Sequence, residues 1–158
     1  MEKLDLYDID GNLLGKTIFR GEKPNEGEYI KLAVVYIKSG DKFLFQKCSP
    51  EKGGEYAVTG GHVPAGVTSK EQAVVEVKEE LGIDISAQKL QYVGNINRGK
   101  AIFDVYLYED DALQNAEFVL QTEEVENVYW FTKEEFEALI ATGEVRQSTC
   151  QQFEKFFK

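Results

Sequence analysis

The hydrophobic period changes once along this chain, and that change limits the fold more than any other feature. Up to residue 62, apolar residues alternate or run in short β-branched and aromatic blocks cut by glycine turns. Over residues 69–81 they fall at helical spacing, with Ala73, Val74, Val77 and Leu81 on one face. Thr68 or Ser69 can cap that helix, with Glu71 or Gln72 three residues on, and Gly82 suits its C-terminal end. More strand-like segments follow. Strands that precede, interrupt and follow the helices specify a mixed α/β sandwich, not a bundle or a regular βαβ repeat.

The remaining elements read as follows. Leu4, Leu6 and Ile9 alternate before the turn Asp10-Gly11-Asn12, and residues 13–19 supply a return strand, so the N-terminus is an expected hairpin. Residues 21–28 are a loop. Residues 29–37 and Phe43-Leu44-Phe45 form a second hairpin across Ser39-Gly40-Asp41. Tyr56-Ala57-Val58 is a short strand ending at Gly60-Gly61, and residues 90–93, 101–108 and 125–131 are further strands. Thr132 caps a helix to about Ala141, closed by Gly143. Residues 147–157 form a last helix with Phe153, Phe156 and Phe157 on its apolar side. Tyr29, Tyr36, Phe45 and Trp130 read as core. No repeat or linker divides the 158 residues, which are expected to be one domain, with residues 1–28 as part of it.

Charge narrows the function. The chain has 28 acidic and 18 basic side chains, a net −10, and its only arginines are Arg20, Arg98 and Arg146. That composition argues against a nucleic-acid partner, and an anionic substrate needs a local basic patch or a divalent cation. Cys48 and Cys150 make no disulfide framework and read as free thiols of a reducing compartment. The N-terminus Met1-Glu2-Lys3-Leu4-Asp5 has no apolar signal region, and no apolar run approaches the ~18 residues of a spanning helix. A cytoplasmic protein with no membrane partner is expected.

On a helical wheel with Val77 at zero, Glu80, Glu76 and Glu79 lie roughly 60°, 100° and 160° away on one side of the apolar stripe. Like charges on one helix face repel. A hard divalent cation reverses that sign, because it binds carboxylate oxygens and keeps water positions open for phosphate. Before the helix, a short strand runs into Gly60-Gly61-His62, and a loop with Pro64 and Gly66 follows. Glycines let the backbone approach a ligand closely or take positive φ, and amides at a helix start beside carboxylates suit a metal-bridged diphosphate.

Residues 61–83 resemble the signature of the Nudix hydrolases. They match it at Gly61, Glu76, Val77, Glu79, Glu80, Gly82 and Ile83, and depart from it at Val67 and Val75, where Glu and Arg are expected. Residues 8–52, with Arg20-Gly21-Glu22, Gly27 and Gln46-Lys47-Cys48-Ser49, resemble the branch related to isopentenyl-diphosphate isomerase. The resemblance implies an α/β/α sandwich with a mixed sheet and an N-terminal hairpin. It also implies a phosphoanhydride hydrolase using Mg²⁺ or Mn²⁺ on a small-molecule diphosphate of the nucleoside-diphosphate-X type. Glu76, Glu79 and Glu80 are the implied metal ligands. The base is Glu79, or Glu123 or Glu124 before the last strand. Lys52, Gly61 and His62 are candidate substrate contacts, and Cys48 stands where relatives often have Arg. An isomerase needs a cysteine near the glycine loop and several histidines, whereas this chain has His62 alone. A catalytically silent nucleotide-sensing module is the other alternative. A homodimer through the hairpin is compatible with the pattern. Since both departures are valines, Val67 and Val75 are expected to touch and clamp the loop to the helix.

Overall fold

The computed structural model describes residues 2–158, so Met1, the first residue of the charged N-terminal pentapeptide, lies outside the described residues. Strands β1 (Lys3–Tyr7) and β2 (Leu13–Phe19) form the expected antiparallel hairpin. Leu4 and Leu6 are buried, but Ile9 is exposed because it sits in the turn and not in the strand. A separate mixed sheet contains β3 (Ile30–Ser39), β4 (Lys42–Cys48), β5 (Tyr56–Ala57), β6 (Thr59–His62), β7 (Gln91–Arg98), β8 (Ala101–Glu109) and β9 (Val125–Thr132).

Strand β3 organises this mixed sheet. Along one edge it pairs in parallel with β8, which pairs antiparallel with β7. Along the other it pairs with β6 over its first half and with β4 at its end, and β4 pairs with β9. Glycines 60 and 61 are therefore strand residues facing Val34 and Ala33, not the end of a strand. This pairing across β3 was not legible in the sequence.

Three helices cover the sheet. Side chains alternate across β3. Ala33, Val35 and Ile37 face α1 (Ser69–Leu81), where they pack with Ala73, Val77 and Leu81. Val34 and Tyr36 face α2 (Lys133–Ala141) and α3 (Gln147–Phe156), where Phe45 stacks on Phe136 at 3.6 Å and packs against Phe153. Tyr36 buries its hydroxyl by donating to Gln152 Oε1 at 3.0 Å. Tyr36 and Phe45 are core as expected, while Tyr29 and Trp130 are half-buried. The fold is the α/β/α sandwich with a mixed sheet and N-terminal hairpin. No helix among the described residues is long and apolar enough to cross a membrane.

Thr68 is the cap of α1. Its hydroxyl accepts from Glu71 N–H, and the Glu71 carboxylate accepts from Thr68 N–H, at 3.1 Å each. Gly82 closes the helix at φ 72°. Val75 is 41% exposed on α1 and faces the carboxylate cleft. Val67 lines a separate cavity beside the hairpin. The expected buried valine clamp does not form, because Val67 and Val75 open onto different cavities and Val75 is left exposed.

Candidate active site

A cleft of about 410 Å³ opens where α1 crosses β6, and the open end of the hairpin, at Glu2 and Arg20, lies at its side. It brings together Gly61, His62, Glu76, Glu79, Glu80 and Glu124. Glu80 is buried. Its Oε1 accepts from Thr59 Oγ1 at 2.5 Å, Gln46 Nε2 at 3.1 Å and Gly60 N–H at 3.4 Å. Glu76 is half-buried, and its Oε1 accepts from Gln72 Nε2 at 2.8 Å. Glu79, one turn away, is exposed at the rim.

Burial dominates the electrostatics. Desolvation pushes the Glu80 carboxyl up to about 7, against the hydrogen bonds that favour its charged form, and the Glu76 charge adds to the rise. Glu76 is raised first by burial, and the Glu79 charge adds to that. No lysine or arginine is ion-paired with Glu76 or Glu80 among the described residues. Two adjacent, desolvated carboxylates without a cationic partner form a hard-oxygen donor pair, which fits Mg²⁺ or Mn²⁺. The carboxamide oxygen of Gln46, buried beside Glu80, has no hydrogen-bond partner. Among the described residues no three Asp, Glu, His or Cys side chains converge closely enough to enclose an ion. The fit is that of an open pair whose remaining positions go to water and phosphate.

His62 is half-buried beside the pair; burial, and then the Arg20 charge, lower its pKa. Lys52 does not line the cleft but reaches its edge, with Nζ 3.4 Å from Glu124 Oε1. Glu123 does not line the cleft; its carbonyl accepts from Ser49 Oγ at 2.7 Å. Cys48 is buried, its thiol pushed up mainly by desolvation, and Arg146 Nη2 donates to its sulfur at 3.2 Å.

Sequence reasoning missed Arg20, Gln46, Thr59, Gln72 and Gln121 as parts of this site or its support. Gln72 had a local signal, four residues before Glu76 on the same helix face, while Arg20 and Gln46 stood out only as part of the stretches that carry the branch resemblance. Gln46 and Thr59 meet Glu80 only because β4 and β6 both pair with β3.

The NUDIX domain family matches residues 30–151 of this chain. A protein of Listeria monocytogenes described as an uncharacterized Nudix hydrolase is 36% identical over 151 residues, covering 91% of this chain and 88% of that one. The NAD-capped RNA hydrolase NudC of Pseudomonas aeruginosa is 28% identical over 99 residues, covering 63% of this chain and 34% of its own. Among solved structures, the protein DR0079 of Deinococcus radiodurans superposes with a TM-score of 0.82 at 20% identity, covering 99% of this chain and all of that one.

Proposed function

This chain belongs to the Nudix hydrolase family, a family of pyrophosphohydrolases, and from that premise we propose that it hydrolyses a phosphoanhydride of the nucleoside-diphosphate-X type with a divalent metal. The Glu76–Glu80 pair carries the reading, since burial without a cationic partner destabilises both carboxylates unless a cation joins them. The family generally uses divalent metals, and here Glu76 and Glu80 would hold Mg²⁺ or Mn²⁺ with Glu79 at the rim. When bound, the cation neutralises the diphosphate, lowers the pKa of a water and stabilises the leaving-group charge.

The protein's own groups do the positioning. Thr59, Gln46 and the Gly60 amide fix one oxygen of Glu80, and Gln72 fixes one of Glu76. Gly61 keeps the cleft wall clear of side-chain atoms beside Glu76, and His62 continues that wall. Glu79 and Glu124 both line the cleft with solvent access, so either can take the proton from the attacking water. Lys52, paired with Glu124, is placed to meet a phosphate entering from that edge. Attack at phosphorus breaks the bridging P–O bond between the phosphates. A relative named as a NAD-capped RNA hydrolase supports a nucleotide-linked diphosphate. The resemblance of residues 8–52 favours a place near the isopentenyl-diphosphate isomerase-like branch, and the hairpin is part of the same unit.

The test is a phosphate-release screen of nucleotide sugars, dinucleotides, nucleoside triphosphates and isoprenoid diphosphates with Mg²⁺ and with Mn²⁺. Turnover of at least one compound that Glu76→Gln reduces about tenfold or more, ~1.4 kcal/mol in the barrier, is the expected result. No release from any of them, with either metal, overturns the reading in favour of a silent module.

A further inference from the structure

We propose that Arg20, carried by the N-terminal hairpin, is the phosphate grip of the carboxylate cleft, and that the cleft recognises the phosphates of its ligand and not the organic group. The proposal rests on the phosphoanhydride reading above and adds a residue that the helix motif does not contain. Arg20 is the only lysine or arginine lining the cleft among the described residues. The α1 position nearest in role, Val75, offers the cleft a methyl surface and no charge.

The backbone holds Arg20 firmly and leaves its side chain available. Its N–H donates to Glu2 O at 2.8 Å, and one residue earlier Phe19 N–H donates to Glu22 Oε1 at 2.6 Å. Glu22 N–H closes the turn on Phe19 O at 3.0 Å. The guanidinium has one ion pair, Nη1 to Glu2 Oε1 at 3.7 Å, with both side chains about half exposed. Such an exposed pair is weak and gives way to a better anion. A phosphate is that anion, because the planar guanidinium can donate two parallel N–H bonds to its oxygens. Arg20 lines the same cleft as Glu76, Glu80, Gly61 and His62, so its guanidinium shares one opening with the carboxylate pair and the glycine-lined wall.

The composition of the wall carries the second half of the proposal. No Phe, Tyr or Trp lines the cleft, and its apolar lining comes from Val75 and Pro64. A nucleobase gains most of its binding from an aromatic face, which this cleft does not offer. The diphosphate therefore fills the cleft while the organic group projects outward.

Calorimetric titration of the full chain with imidodiphosphate, whose P–N–P bridge resists cleavage, and with ADP, both in Mg²⁺, tests this directly. The wild type is expected to bind the two within about threefold of each other, and Arg20→Ala to weaken both about tenfold or more. Arg20→Lys, which keeps the charge and loses the fork, is expected to recover part of the loss. Thermal melting checks that each variant is folded. Three results overturn the proposal: no imidodiphosphate binding by the wild type, Arg20→Ala within about twofold of it, or ADP bound more than about tenfold tighter than imidodiphosphate. Hydrolysis measured in parallel separates the two claims. Arg20-dependent binding with no turnover of any phosphoanhydride leaves the grip standing and removes the hydrolase reading. Turnover with a KM unchanged in Arg20→Ala does the reverse.

Discussion

Glu80 is a carboxylate whose surroundings favour the protonated form until a cation arrives. Its pKa rises from the ordinary 4.5 to about 7, chiefly through desolvation. Between those values the folded, metal-free chain keeps a proton that the unfolded chain has released. This contribution to stability is therefore whole below about pH 4.5 and is lost as the pH rises through about 7. The slope is at most about 1.4 kcal/mol per pH unit. Glu80→Gln removes the buried charge while its amide oxygen can still accept from Thr59, Gln46 and Gly60. In EDTA at pH 8 the variant is expected to melt about 2–4 °C or more above the wild type, and the gap is expected to close toward pH 5. Equal melting at both pH values would remove the electrostatic account of Glu80. The carboxylates themselves were legible from their helical spacing. Which of them is buried was not, since that depends on Thr59 and Gln46, residues brought beside Glu80 by pairing across β3.

At the level of elements, α1 was legible almost to the residue. Its cap, its apolar stripe and its closing glycine agree with one another, and local rules are strongest where they agree. β6 was not legible. A run of Thr-Gly-Gly-His has no strand pattern, yet it pairs with β3, and at its two central positions a side chain would not fit without something moving. Neither glycine needs a positive φ; both are required for close approach. A Cβ on Gly60 would meet Ala33 O at 2.5 Å, which is backbone and cannot move aside. A Cβ on Gly61 would overlap the Glu76 carboxylate, the far end of a flexible side chain. The two substitutions are therefore expected to separate fold from site. Gly61→Ala should stay within about 1 kcal/mol of wild-type stability in urea and lose about tenfold or more in Mn²⁺ affinity, whereas Gly60→Ala should lose more stability than that. Unchanged Mn²⁺ affinity in Gly61→Ala would mean that Glu76 does not depend on the bare strand for its position.

Across the whole molecule, an excess of ten negative charges sets the terms for any phosphate ligand. The chain concentrates carboxylates in the cleft and supplies one guanidinium there, so an anion can enter only with cations that cancel the field. The sandwich makes this arrangement possible. It places a helix bearing carboxylates against a strand whose two central residues are glycines, and the hairpin brings Arg20 to the same opening. The central claim is that Glu76 and Glu80 together hold the divalent ion. Titration calorimetry with Mn²⁺ on the wild type, Glu76→Gln and Glu80→Gln tests it most directly. Each substitution is expected to weaken binding by about tenfold or more, ~1.4 kcal/mol, in proteins that melt no lower than the wild type. Equal Mn²⁺ affinity in all three, at comparable melting temperatures, would contradict it.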